Sequence, residues 1–530
     1  MNTTRLLTII AFLIFPFLLQ SQDLTTRLCF DFTDKKNNPY RLDNPEEFLS
    51  ARAIEKREQL NIKINESDLP VSPCYIDSII KTGARVICVS KWFNSAVVEC
   101  TISQRDAIKS MSFIKEYRNI SSNKNTKESL TLARQKKMKI KSADSADYGK
   151  SFSQIDMLGG LFLHEHGFKG RNIIIAVLDA GFYNVDEYDA FEKSRQQNKI
   201  LLTRDIANPG GDVFSEYYHG TSVLSLMDGN LAGTLIGTAP EANYILLRTE
   251  ETEVEEIAEE EYWIAGAELA DSLGADVINS SLGYNTFDDP SQDHLLSDLN
   301  GETTRITLGA DLAVAKGVVV VVSAGNEGRK PWKKITFPAD GKNLITVGAI
   351  ENNGGKAGFS SFGPTSDGRI KPEIVALGER PFAVNASGKI DNQSSGTSYS
   401  APLIAGLVAC LFQAFPHSSP SEIKNAIIKS SSQYLTPDTL IGYGVPDFRK
   451  AFIILERSYE NSESEAGISV YPNPFSNQIS IDVILTKKDT IEVKIFDLLG
   501  KCVFERRAIP YNSYVTSISL DIDTPMVGLY

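Results

Sequence analysis

"GVVVVVSAGNEG", residues 317 to 328, runs five consecutive valines after Gly317 and then breaks on Ser323, Ala324, Gly325 and Asn326. A β-branched run with no polar residue at alternate places has no wet face, so it reads as a strand buried on both sides of a parallel sheet. Four further runs share this character: "NIIIAVL", "NYILLR", "ADVINSS" and "NLITVGA". Between them, "HGTSVLSLM", "EEYWIAGAELADSLG" and "TTRITLGADLAVAKG" set apolar residues at helical spacing. This alternation predicts an α/β domain over residues 150–455, a parallel sheet with helices on both faces.

The flanks differ. Residues 22–120 mix strand-like pieces ("RLCFDFT", "ARVICVSK", "AVVECTI", "FIKEYRNI") with helical ones ("PEEFLSARAIEKREQL", "CYIDSIIKTG", "QRDAIKSM"). The order predicts a small α+β unit whose sheet is covered on one face. Residues 121–149 are polar and basic in their middle, which reads as an exposed linker. After a second linker at 456–466, residues 467–530 alternate in period two, as in "QISIDVIL", and predict a small, sandwich-like all-β domain. Residues 1–21 carry Arg5, an apolar run from Leu6 to Leu19 and Ser21, the pattern of a signal peptide. At about 14 residues the run falls short of the roughly 20 that span a bilayer. No later membrane span is expected.

Composition sets the outer bounds. The chain has 530 residues, 42% hydrophobic and 23% charged, which is ordinary for globular domains. A formal net charge of -13 argues against nucleic acid or an anionic membrane as a partner. Cys29, Cys74, Cys88 and Cys100 fall early, where disulfides among them are open, while Cys410 stands alone and reads as a small buried residue. With no C-x-x-C pair, no zinc site is expected.

Only five histidines are available for acid–base chemistry. His164 and His166 in "LFLHEHGF" lack a third ligand and read as surface residues; His294 and His417 read as solvated. His219 is followed by Gly220 and Thr221 and begins a helical pattern, which makes it the candidate base. A histidine base needs a carboxylate to hold its tautomer. Asp179 ends the strand-like "IIIAVLD", where catalytic groups collect in open α/β sheets.

The nucleophile candidate lies in "SSGTSYSAPLIAG", residues 394 to 406. Pro402 is tolerated only near a helix start, so it reads as first-turn and puts Ser398 at the N-terminus, where free N–H groups favour developing negative charge. Ser394, Ser395 and Ser400 read as neighbours. Asn326 ends the valine strand and offers an amide donor to an oxyanion.

Taken together, "AVLDAGF", "HGTSV", "NSSLG", "SAGNEG" and "GTSYSAP" occur in that order, Asp before His before Ser, and the chain resembles the subtilisin family of serine proteases, the subtilases. The resemblance implies that Asp179 orients His219, His219 deprotonates Ser398, and Asn326 with the Ser398 N–H holds the oxyanion. It also implies that Ser281, Leu282 and Gly283 pair with substrate backbone, that Ser323, Ala324 and Gly325 line the substrate site, and that Phe337–Pro338 is cis. Ser222 stands where many members have a second histidine, and Tyr399 and Ser400 follow the nucleophile.

Residues 22–120 are similar to an inhibitory, chaperone-like subtilase prodomain, and "LARQKKMKIK" in the following linker offers sites for maturation cleavage. Residues 467–530, with "VYPNPFSNQISI", resemble the sorting domain of the type IX secretion system of Bacteroidetes. The resemblance therefore implies a serine endopeptidase exported through the periplasm to the cell surface or medium. Its partners would be protein or peptide substrates, its own prodomain and the secretion machinery. No cofactor is expected; structural calcium, common in the family, has no recognisable oxygen-ligand loop, "DDPSQD" being a weak candidate. The alternatives are a transpeptidase, in which an amine intercepts the acyl-enzyme, and an inactive scaffold that acts as a surface binding protein. The glutamate run "EETEVEEIAEEEYW", residues 250–263, reads as a solvated helix face ahead of a subsite for basic residues.

Overall fold

The computed structural model describes residues 25–122 and 147–459 together with five strands between 467 and 521. The signal peptide at 1–21, most of the 121–149 linker and most of the 456–466 linker lie outside the described residues.

The N-terminal unit contains strands β1 (Thr26–Phe32), β2 (Arg85–Ser90), β3 (Ser95–Cys100) and β4 (Ile114–Asn119), with helices α1 (Ala51–Gln59), α2 (Pro73–Ile80) and α3 (Ile102–Lys109). The strands form an antiparallel sheet in the order β2-β3-β1-β4. Period two sends Leu28, Phe30, Phe32 and Val98 to one face, against Ile79 and Ile108. Cys29 and Val97 point the other way, onto Ala258, Tyr262 and Ala265 of the main domain. The sheet is thus covered on both faces, where the sequence indicated one. All four early cysteines are free thiols.

The main domain is built on β5 (Ile174–Asp179), β6 (Ile200–Asp205), β7 (Asn243–Arg248), β8 (Val277–Ser280), β9 (Val319–Ser323), β10 (Ile345–Ile350) and β11 (Ile374–Leu377). All neighbours pair parallel, in the order β11-β10-β9-β8-β5-β7-β6. The five apolar runs are the five interior strands. β6 and β11 are the edges and escaped the sequence signal, β6 because much of it is wet and β11 because it is only four residues long.

Its principal helices are α4 (His219–Asp228), α5 (Ala258–Leu273), α6 (Arg305–Ala315), α7 (Thr397–Ala414), α8 (Pro420–Ser430) and α9 (Phe448–Tyr459). Alternate strand residues serve opposite layers. Ile175, Val177, Val319 and Val321 pack with α4 and α7, whereas Ile174, Ala176, Val320 and Val322 pack with α5 and α6. α7 is long and apolar enough to cross a membrane, but it is a core helix, buried against the sheet. Beyond residue 466, β12 (Gly467–Tyr471), β13 (Gln478–Ile484), β14 (Ile491–Phe496), β15 (Cys502–Ala508) and β16 (Val515–Asp521) pair antiparallel as β12-β13-β16 and β14-β15.

The second half of the glutamate run is buried rather than solvated, which corrects the sequence reading there, while Glu253 ahead of it is exposed. Glu256, Glu259, Glu260 and Glu261 are all buried. Glu256 accepts the Ser122 N–H at 2.8 Å, and Glu261 pairs with Arg118 at 3.0 Å and with Arg305 at 2.8 Å. Further along α5, Glu268 accepts from the Ser90 hydroxyl at 2.5 Å and from the N–H groups of Lys91 and Trp92 at 2.7 and 3.0 Å. Glu256 and the acids of α5 therefore form the seat of the N-terminal unit. Its least accessible part is Arg57, bonded to Asp68 at 2.9 Å and to Asp271 of α5 at 2.8 Å, with Lys316 on Asp68 at 2.7 Å.

Removing one member of a buried ion cluster leaves the others unpaired and costs about 3–5 kcal/mol. Arg57→Ala is expected to destabilise the full chain on that scale in urea unfolding. A change of a few tenths of a kcal/mol would show that water reaches the cluster.

Candidate active site

Asp179 ends β5 and Ser323 ends β9, so both stand at the carboxyl edge of the sheet. Asp179 is fully buried; its Oδ1 accepts the Ala180 N–H at 2.8 Å and His219 Nδ1 at 2.7 Å. With Nδ1 donating to the carboxylate, His219 Nε2 is left as the acceptor. Gly181 makes this approach feasible: at φ 151° a Cβ would meet the Tyr217 N and O at 2.5 and 2.6 Å. His219 is the first residue of α4 and half-buried. Burial, the largest influence, pushes its pKa down, but the charge and hydrogen bond of Asp179, together with Glu250, outweigh it and hold the pKa above the ordinary 6.5.

Ser398 is the second residue of α7, after the N-cap Gly396. Its hydroxyl donates to the Ser281 carbonyl at 3.0 Å, and among the described residues no hydrogen bond joins it to His219. The Ser281 hydroxyl donates in return to the Ser398 carbonyl at 2.9 Å. Pro402 explains the second bond. It lies inside α7, in the second turn rather than the first as the sequence indicated, and the N–H it lacks is the one that would have bonded the carbonyl four residues earlier, Ser398 O. The side chain of Ser281 fills that vacancy and ties the end of β8 to the start of α7.

Asn326 is fixed through its amide oxygen, which accepts the Thr397 N–H at 2.9 Å and the Thr397 hydroxyl at 3.1 Å. The Thr397 hydroxyl in turn accepts the Gly325 N–H at 3.1 Å. Because both bonds take the oxygen, the Asn326 NH2 is left free to donate elsewhere. Thr397 was not singled out from the sequence; its only signal there was its place between Gly396 and Ser398. The Leu282 carbonyl accepts the Ser323 hydroxyl at 3.4 Å, and Ala324 is buried. Gly283 and Gly325 both abut Thr336.

The other candidates separate cleanly. Ser222 donates to the Val384 carbonyl at 2.6 Å, Ser400 to the Thr397 carbonyl at 2.9 Å, and Ser395 accepts the Arg380 N–H at 3.1 Å. Phe337–Pro338 is cis, as are Gly363–Pro364 and Lys371–Pro372. Two histidines depart from expectation. His164 is buried, held by the Tyr148 hydroxyl and the Thr238 carbonyl at 2.9 Å each, and burial lowers its pKa to about 4. His294 pairs with Glu260 at 2.5 Å and is mostly buried. His166 and His417 are exposed. Among the described residues, no group of three or more His, Cys, Asp or Glu is placed to hold a metal ion.

A buried carboxylate on a histidine, with a serine at a helix N-terminus and a free amide donor, on a parallel α/β sheet, supplies the kinds of group that serine-hydrolase chemistry requires. Residues 170–444, more than half of the chain, match the family model described as the subtilase family, and the chain belongs to that family. Residues 27–140 match the peptidase S8 propeptide domain of Bacteroidota, and residues 469–530 match the secretion system C-terminal sorting domain. The sorting domain marks the chain for export, to the cell surface or the medium.

Among curated relatives, serine protease AprX of Bacillus subtilis is 27% identical over 305 residues, 52% of this chain and 64% of AprX. The chain thus spans just under two thirds of that protein. Subtilisin NAT of Bacillus subtilis subsp. natto is 27% identical over 312 residues, 58% of this chain and 72% of the relative. Subtilisin DY of Bacillus licheniformis is 27% identical over 274 residues, 50% of this chain and 86% of the relative. Among solved structures, MycP1 with its N-terminal propeptide removed is 23% identical at a TM-score of 0.44, covering 57% of this chain and 96% of that one.

The environment of His219 gives a titration with a definite sign. Its imidazole is expected to hold its proton to a pH above 6.5, and Asp179→Asn, which removes the stabilising charge, is expected to lower that midpoint. Imidazole nitrogen shifts followed by NMR against pH provide the check.

Proposed function

We propose that the chain is a serine endopeptidase, hydrolysing peptide bonds through an acyl-enzyme at Ser398. The observation that carries this reading is the 2.7 Å bond between fully buried Asp179 and His219 Nδ1, which leaves Nε2 to receive a proton. Membership of the subtilase family supports it.

In this mechanism the substrate adds as a strand along Ser281, Leu282 and Gly283, bound by main-chain hydrogen bonds. The Ser398 hydroxyl leaves the Ser281 carbonyl by rotation about its side-chain bond and turns to His219 Nε2. As Ser398 Oγ bonds the carbonyl carbon, its proton passes to His219, and Asp179 stabilises the imidazolium. The negative oxygen takes donors from the Asn326 NH2 and the Ser398 N–H, the latter free because it lies in the first turn of α7. The C–N bond breaks as His219 returns the proton to the leaving amine, and water repeats the sequence to release the acid.

The N-terminal unit, seated on α5 with Ser122 on Glu256, acts in this reading as the prodomain, and cleavage in the 121–149 linker releases it. Protein or peptide substrates and the secretion machinery are the remaining partners.

Asn326→Ala is expected to lower kcat by about 100 to 1,000-fold with little change in KM, the signature of a donor used only in the transition state. A fluorophosphonate probe tests the nucleophile directly. The processed protein is expected to label and Ser398→Ala not to. No labelling of the former, or equal labelling of both, overturns the assignment.

A further inference from the structure

The chain between β1 and α2, residues 33–72, leaves the sheet of the N-terminal unit as an arm that carries α1. Its roots are drawn together by the Lys35 ammonium, which donates to the carbonyls of Glu66, Leu69 and Lys91 at 2.6, 2.6 and 2.7 Å. The Asn38 amide donates to the Pro70 carbonyl at 2.7 Å and the Ser72 hydroxyl to the Lys36 carbonyl at 2.8 Å. The arm is thus a closed loop fixed to its sheet.

This arm reaches the C-terminal end of α5. The last carbonyls of a helix lack intrahelical donors and carry the negative end of its dipole, and the last turn of α5 holds no basic residue of its own. The arm supplies both donors and charge. Ser50 N–H donates to the Ser272 carbonyl at 2.9 Å, Arg52 Nε to the Gly274 carbonyl at 3.1 Å, and Lys56 Nζ to the Ala275 carbonyl. Arg52 also bonds Asp276, just ahead of β8, at 2.5 Å and the Asn172 carbonyl, ahead of β5, at 2.9 Å. Behind them stands the buried cluster of Arg57, Asp68 and Asp271, and Lys316 at the C-cap of α6 donates to the Ser67 hydroxyl at 2.9 Å. Leu60 and Ile62 cover Gly317, where a Cβ would come within 2.8 and 3.2 Å of their Cδ1 atoms. One arm grips the ends of two helices and the starts of two strands.

That grip is remote from the linker. Ser122, on the linker side, bonds Glu256 ahead of α5, whereas the arm holds the other end, and the sixteen residues of the helix at 1.5 Å each separate the two by about 24 Å. Cutting the linker breaks no bond of the arm. Two contacts on one body hold it longer than either alone, because when one opens the other keeps the partner at a high effective concentration, an advantage of about 100 to 10,000-fold.

We propose that the arm is a clasp that keeps the N-terminal unit on the main domain after the linker is cut. The cut makes departure possible; the clasp sets its rate. That the clasped, cut chain is latent rests on the endopeptidase reading, in which the N-terminal unit is the prodomain. Retention by the arm does not.

The test cuts the full-length chain in the linker with trypsin, for which that segment carries Arg134, Lys136, Lys137 and Lys139, and confirms the site by mass spectrometry. Size-exclusion chromatography at timed intervals then reads how fast the N-terminal unit separates. The cut wild type is expected to elute as one complex, and Arg52→Ala with Lys56→Ala is expected to separate at least about 100-fold faster. Arg52→Ala alone is expected to move the rate in the same direction by less, and it decides the matter if the double variant does not fold, since the Arg52 side chain is 38% exposed. Arg85→Ala removes a contact with Asn208 away from the arm, and it is expected to stay within about fivefold of the wild type.

A cut wild type that separates as fast as the arm variants overturns the clasp, as does an arm variant retained as long as the wild type or one that separates no faster than Arg85→Ala. Fluorophosphonate labelling before and after separation keeps the two readings apart. Weak labelling of the retained complex that rises on separation supports latency, and full labelling while the unit is still bound overturns it. No labelling even after separation overturns the endopeptidase reading, while the separation rates still decide the clasp.

Discussion

A parallel sheet buried on both faces has only its ends left for polar chemistry, and the main domain follows from that constraint. Alternate residues of β5 and β9 are committed to two apolar layers, so the first polar side chains each strand can present are those at its carboxyl end. Asp179, Ser281 and the Ser323–Asn326 segment meet the starts of α4 and α7 at that edge. Pro402 adds the lock. By withholding one N–H it leaves the Ser398 carbonyl to the Ser281 hydroxyl, and the reciprocal pair joins a strand end to a helix start. Ser398 is thus positioned by the same contact that closes the fold around it.

The acids of α5 give the N-terminal unit its seat. Buried carboxylates are costly unless each is bonded, and here the bonds come largely from Arg57, Arg118, Lys91 and the N–H groups of residues 91 and 92, with Arg27 and the Ser122 N–H on Glu251 and Glu256 just ahead of the helix.

The periodic features were legible in the sequence. "GVVVVVSA" and its companions marked the five interior strands because burial on both faces excludes polar residues, and His219, Asp179, Ser398 and Asn326 stood out because each sits where a strand or helix pattern begins or ends. Other readings failed for identifiable reasons. Pro402 looked like a first-turn residue because local sequence does not show that a side chain from β8 would stand in for the lost bond. His164 looked superficial in a polar stretch, although Tyr148 and Thr238 bury and bond it. The glutamates looked solvated because their partners, Arg118, Ser122, His294 and Arg305, lie between 34 and 143 residues away and outside any local pattern.

The sequence by itself determined the layer architecture and the candidates for the reacting groups, since strand and helix periods and the residue types that move protons are local properties. The tertiary structure alone decided which carboxylate meets His219, which atom of Asn326 Thr397 occupies, what covers α5, and that Thr336 stands between Gly283 and Gly325. Those outcomes depend on contacts between segments far apart in the chain, and no local period encodes a distance across the fold.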